Sequence, residues 1–116
     1  MAIMEYLTIK GASAALYRFD VYPINVECPG VGGVYAYTKR SPAESPGGGA
    51  NHSLIYVGKT NSFRKRDKAH EDNECINKAD PNCICLYPEG NDERRLTVEK
   101  DIISAHKPQC NAHHTT

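Results

Sequence analysis

Glu99 lies in LTVEKDIISAH (96–106), three residues after Leu96 and four before Ile103. At helical spacing it shares a side with Leu96, Ile102 and Ile103, where a helix normally faces its core. An ionised carboxylate on such a stripe is costly unless it is paired or bound to a cation. Protonation, an ion pair with arginine, ligation of a metal, or a boundary position reaching water would each relieve it. A second polar set falls in TNSFRKRDKAHED (60–72), where Arg66 and His70 follow Phe63 by three and seven residues and share its inward side. Tyr35 and Tyr56, on two extended segments, form a third. Phenol, guanidinium, imidazole and carboxylate could thus converge over one sheet face.

The charge distribution agrees with an anion site near the second set. The chain carries 14 basic and 14 acidic side chains, so its formal net charge is zero. KTNSFRKRDK (59–68) nevertheless holds five basic residues, Lys59, Arg64, Lys65, Arg66 and Lys68, against one acid, a local charge of +4. A basic stripe on a neutral protein is either a solvated helix face or the footprint of a localised anion site.

Elements able to position these groups can be read along the chain. With 116 residues, 40% hydrophobic and 24% charged, it fits one compact domain with a single core. No apolar run nears 18 residues, and the start lacks the pattern of a secretory signal, so no membrane span and a cytoplasmic setting are expected. YLTIK (6–10) and LYRFDVYPI (16–24) read as strands flanking the turn GASA; GVYAYTK (33–39) and SLIYVGK (53–59) as two more, the latter stopped by Gly58. Alternation puts Tyr35 and Tyr37 on one face, and Tyr56 opposite Ile55 and Val57. Residues 40–52, rich in proline and glycine, read as a mobile hairpin loop, and NECINKADPN (73–82) as a loop. CICLYPE (83–89) is a further strand. EGNDERRLTVEKDIISAHKP (89–108) is the strongest helix, capped by Asn91 or Asp92 and closed by Pro108. The expected fold is α+β, a small antiparallel or mixed sheet flanked by helices. The five cysteines are expected as reduced thiols; Cys83 and Cys85 are spaced too closely for the usual zinc pair.

Taken in order, GVY at 33–35, YVG at 56–58, GKTNSFRKRDKAH (58–70) and EKDIISAHKPQCN (99–111) resemble the motifs of the GIY-YIG nucleases. The resemblance covers residues 31–111. It leaves 1–30 as an N-terminal extension of probable extra strands and 112–116 as a loose tail. Valine replaces isoleucine in both tripeptides, and the loop between Tyr35 and Tyr56 is longer than in compact members. It places the family's arginine at Arg66, the histidine or tyrosine one turn later at His70, the glutamate at Glu99 and the asparagine at Asn111.

The resemblance implies metal-dependent hydrolysis of a nucleic-acid phosphodiester, with DNA favoured. Tyr35, Tyr56, Arg66, His70 and Glu99 would be the catalytic set, and Lys59, Arg64, Lys65 and Asn111 would contact the substrate or order the site. One Mg²⁺ or Mn²⁺ ion needs only one or two carboxylates, so Glu99 would be its sole direct protein ligand. Arg66 can hold two phosphate oxygens in a planar fork. Tyr35 would take a proton from the attacking water, with Tyr56 or His70 sharing it. The small basic footprint implies weak, salt-sensitive binding unless a second copy or a separate targeting partner adds to it. A non-catalytic nucleic-acid-binding module of the same fold is the alternative.

Overall fold

The computed structural model describes residues 3–42, 50–65 and 73–111. Five strands, β1 (Glu5–Lys10), β2 (Leu16–Pro23), β3 (Gly33–Ser41), β4 (Asn51–Thr60) and β5 (Cys83–Pro88), form one sheet. Its order is β1-β2-β5-β3-β4, and every pairing is antiparallel. Two helices accompany it, α1 (Glu74–Ala79) and α2 (Asp92–His106), and residues 63–65 are helical. The molecule is an α+β domain. Among the described residues no helix is long and apolar enough to cross a membrane.

The sheet is curled around α2. Its inner face carries Ile9, Phe19, Val21, Val34, Ala36, Val57, Cys83 and Cys85, packed with Val98 and Ile102 of α2. These residues come from all five strands, so one helix serves both ends of the sheet. The outer face carries Tyr22, Tyr35, Tyr37, Ile55, Tyr56, Ile84 and Leu86, covered by Phe63, Ile76 of α1 and Cys110. Strand alternation accounts for the sorting: Val34 and Ala36 point inward, Tyr35 and Tyr37 outward.

Polar contacts hold the curl. Near one end, Glu5 of β1 accepts from Arg40 Nε of β3, and its other oxygen lies 3.2 Å from His52 Nε2 of β4. His52 Nδ1 is in turn 2.8 Å from the hydroxyl of Thr38, which is fully buried. The two edge strands therefore meet through one carboxylate. At the other end, the β1–β2 turn is pegged to α2. Asp101 accepts from Ser13 N–H and Oγ and from Tyr17 Oη at 2.7–2.8 Å, and His106 Nε2 lies 2.8 Å from Lys10 O. The N-terminal strands thus belong to the same sheet as the rest.

Several local expectations change. Residues 40, 41, 51 and 52 are strand rather than loop, because Arg40 and Ser41 pair with His52 and Asn51; the centre of that connection, 43–49, lies outside the described residues, as does 112–116. The segment after Asn73 is not a loop: Asn73 accepts from Ile76 N–H at 3.0 Å and caps α1, which buries Ile76. Gly58 does not end its strand, which runs on to Thr60. Ile55 does not lie opposite Tyr56. The register slips between Tyr37 and Thr38, which face Tyr56 and Leu54, so Ile55 is an extra residue and joins the outer cluster.

The cysteines are not all reduced. Cys75 of α1 and Cys110 form a disulfide across a separation of 35 residues, worth roughly 3–4 kcal/mol by loop-closure entropy. Cys28, Cys83 and Cys85 are free and buried. Burial pushes the Cys83 thiol upward and that of Cys85 to about 12.

Candidate active site

Both glycines of the paired tripeptides have steric reasons. Tyr35 of β3 faces Gly58 of β4. A Cβ at Gly58 would overlap the phenol of Tyr35, hydroxyl included, so the ring lies flat across that glycine. A Cβ at Gly33 would overlap the carbonyl of Tyr87, the ring edge of Phe63 and Pro88. The first glycine therefore lets Phe63 close on the sheet, and the second lets Tyr35 reach across the edge strand. Tyr35 is 1% exposed and Tyr56 7%. Their ring centroids are 6.1 Å apart, and Tyr37 lies 5.8 Å from Tyr35 in an edge-to-face arrangement. The bulge at Ile55 adjoins this cluster, where such irregularities re-aim side chains. Tyr37 is the member of the cluster not given a role from the sequence, although its alternation with Tyr35 marked it.

Glu99 belongs to the helix on the other side of the sheet. It sits on α2, half-buried, between Val98 and Ile102, which are buried against the inner face. The seam of this helix runs through Arg95, Val98, Glu99, Ile102 and Ile103 and leaves Leu96 38% exposed. It is rotated away from Leu96 because Val98 fills the space over Val34 and Val57. The phenols and Glu99 therefore do not share a sheet face. Tyr35 lies across β4 on the outer face, whereas α2, which carries Glu99, packs on β4 and β3 from the inner face. Arg66 and His70 lie outside the described residues.

The basic residues divide. Lys59 is 3.9 Å from Asp92 at the start of α2, and Arg95 is 3.7 Å from the same carboxylate. Arg95 Nε also donates to Glu89 O at 2.7 Å, which fixes it along the loop that enters the helix. Asn91 caps that helix by accepting from Arg94 N–H at 3.0 Å. Arg64 and Lys65 are exposed, and Arg64 Nε donates to Cys28 O at 3.3 Å. With Val26, Glu27, Cys28 and Pro29, Arg64 lines an open groove of about 460 Å³ beside the outer-face cluster.

Asn111 is a backbone clasp. Its Oδ1 accepts from Val57 N–H and its Nδ2 donates to Val57 O, both at 2.9 Å. Cys110 N–H donates to Ile55 O at 3.0 Å. The chain turns at Lys107, whose left-handed conformation closes α2, and returns along the free edge of β4. Asn111 thereby satisfies the edge-strand groups beside Tyr56 and Gly58 that would otherwise face open solvent.

A single carboxylate with waters completing the shell suits a hard, largely hydrated dication and not a closed zinc site. Among the described residues no group of three or more His, Cys, Asp or Glu side chains gathers that could enclose a metal. Compared with known proteins, the chain matches no family model and no curated sequence.

Proposed function

We propose that this protein is a metal-dependent endonuclease of the GIY-YIG kind that hydrolyses nucleic-acid phosphodiester bonds, with DNA its substrate. The observation that supports this reading best is the seating of the two tripeptides. GVY and YVG lie on adjacent strands, Tyr35 pairs with Gly58, and Tyr35 and Tyr56 stack side by side. A glycine kept under a phenol at a strand edge, with the sheet edge clasped by Asn111, is a costly arrangement for packing alone.

In this reading Glu99 holds the single Mg²⁺ or Mn²⁺ ion. The bound ion would neutralise charge on the scissile phosphate. Tyr35 receives the proton of the attacking water, and Tyr56 shares or orients it. A free phenol titrates near 10, so Tyr35 needs positive charge close by; Arg66 and Lys59 are the residues for that task. Arg66 grips two phosphate oxygens, His70 assists the proton transfer, and Arg64 and Lys65 contact the flanking backbone. Asn111 serves by fixing β4. In a cytoplasmic setting the Cys75–Cys110 link would be open to cellular reductants.

The test is incubation of the purified chain with supercoiled, linear, branched and single-stranded DNA in Mg²⁺ or Mn²⁺, with EDTA as control. Metal-dependent cleavage that weakens as salt rises is expected. Absence of cleavage on every substrate, with salt-sensitive binding retained, would replace the nuclease by a binding module.

A further inference from the structure

We propose that the Cys75–Cys110 disulfide is a redox latch on strand β4, holding the Asn111 clasp in place when oxidised and releasing it when reduced. Cys110 immediately precedes Asn111, and the tail they form touches β4 at Ile55 O and at both backbone groups of Val57. Those residues flank Tyr56, and Gly58 beneath Tyr35 comes next. The segment between α2 and Asn111 starts from a strained left-handed residue, Lys107. A few hydrogen bonds are comparable with the entropy lost in ordering such a segment. A covalent tie to α1, itself anchored by buried Ile76, tips that balance toward the docked state.

The link is also reachable. Cys75 is partly exposed, whereas Cys110 is 1% exposed. A thiolate of a dithiol reductant attacks Cys75 Sγ, and the Cys110 sulfur leaves with the electron pair of the S–S bond and takes up a proton. The second thiol of the reductant then displaces Cys75, which is likewise protonated. The reductant ends as a cyclic disulfide, two electrons poorer, and the protein holds two thiols. Cys83 and Cys85 cannot easily substitute for either partner, since they are buried on the opposite face with raised thiol pKa values; Cys28 is buried within the cluster that holds Cys110.

The consequence for cleavage rests on the proposed nuclease function; the latch itself does not. The experiment is amide hydrogen exchange on the full chain, oxidised and after dithiothreitol reduction under argon, with thiols counted in each sample. Val57 N–H, which donates to Asn111, should exchange about tenfold or more faster in the reduced form, while Ala36 and Cys85 at the sheet centre stay protected. Cys75→Ser should behave as the reduced form with or without dithiol. Equal Val57 exchange in both forms overturns the proposal. So does uniform loosening of the whole sheet, or a reduced chain that unfolds, because the disulfide would then be a general staple. DNA cleavage is read on the same samples. Lower cleavage in the reduced form supports the latch as a control of activity. A Val57 response with no cleavage in either form rejects the nuclease reading and leaves the latch standing.

Discussion

The two faces of the sheet are built from different chemistry. The inner face wraps α2 with aliphatic groups, Phe19 and two buried thiols, and its polar members are drawn into closed contacts such as Thr38 with His52. The outer face gathers four buried tyrosines, Tyr22, Tyr35, Tyr37 and Tyr56, each bringing a polar hydroxyl into the cluster. Hydrocarbon would fill that face at less cost if packing were its whole task. The contrast teaches that both faces are buried, one closed by aliphatic packing and the other by aromatic rings that bring hydroxyls into the core. Glu99 is the informative exception, a polar group delivered by the inner-face helix.

The contrast can be broken first at Phe19, which is fully buried on the inner face. Phe19→Ala should lower unfolding free energy by about 3–5 kcal/mol in urea denaturation. A loss below about 1 kcal/mol would mean that the curl does not depend on inner packing. Glu99→Ala should do the opposite. Cleavage should fall by about 10²–10³-fold, while the thermal midpoint changes far less than in Phe19→Ala, because Glu99 is only half-buried. Full metal-dependent nicking by that variant would reject Glu99 as the metal ligand. Tyr35→Phe should slow hydrolysis by about 10²-fold or more and change DNA affinity less, as read by single-turnover kinetics beside a binding titration.

A smaller effect is expected where the faces meet at the β4 edge. Gly58→Ala forces its new methyl into the Tyr35 ring and should cost about 1–3 kcal/mol, with loss of cleavage out of proportion to the loss of stability. Smallest is the clamp at Glu5. Burial works to raise its carboxyl pKa, but hydrogen bonds from Arg40 and His52 and their charges prevail and hold it below the ordinary value of 4.5. A carboxyl that titrates lower when folded stabilises fully above its unfolded pKa, and that contribution fades as pH falls through the folded value. Glu5→Gln should therefore cost about 1 kcal/mol at pH 7 and flatten the acid limb of the stability profile. An unchanged limb would remove the clamp from the account.

Much of the fold was legible because local signals governed it. Alternating aromatic and β-branched residues marked the strands, and Asn91 with Pro108 bracketed the long helix. The sequence was misleading where a distant partner decides. Strand pairing of Arg40 with His52 overrode the proline- and glycine-rich composition around them. One slipped residue, Ile55, changed which face a side chain joins, and no periodicity reveals a bulge. The seam of the long helix turned from Leu96 toward Val98 because the sheet, not the helix, sets which side has room. The disulfide was missed because two cysteines 35 residues apart carry no spacing rule. Glu5, Arg40 and His52 gave no signal at all, since their meeting depends on closure of the curl. Tyr35 and Tyr56 were legible as neighbours on paired strands and Glu99 as part of the long helix's inward side; that this helix covers the opposite sheet face was not legible, because sheet closure decides it.

Strand β4 anchors both extremities of the described chain. Glu5 contacts it at His52 and Asn111 contacts it at Val57, five residues on and so roughly 17 Å apart along an extended strand. A peptide bridge of modest length could therefore join head to tail with little distortion. Such a cyclised backbone would lose entropy mainly in its unfolded state, so ring closure should raise the melting temperature without touching a single side chain of the site.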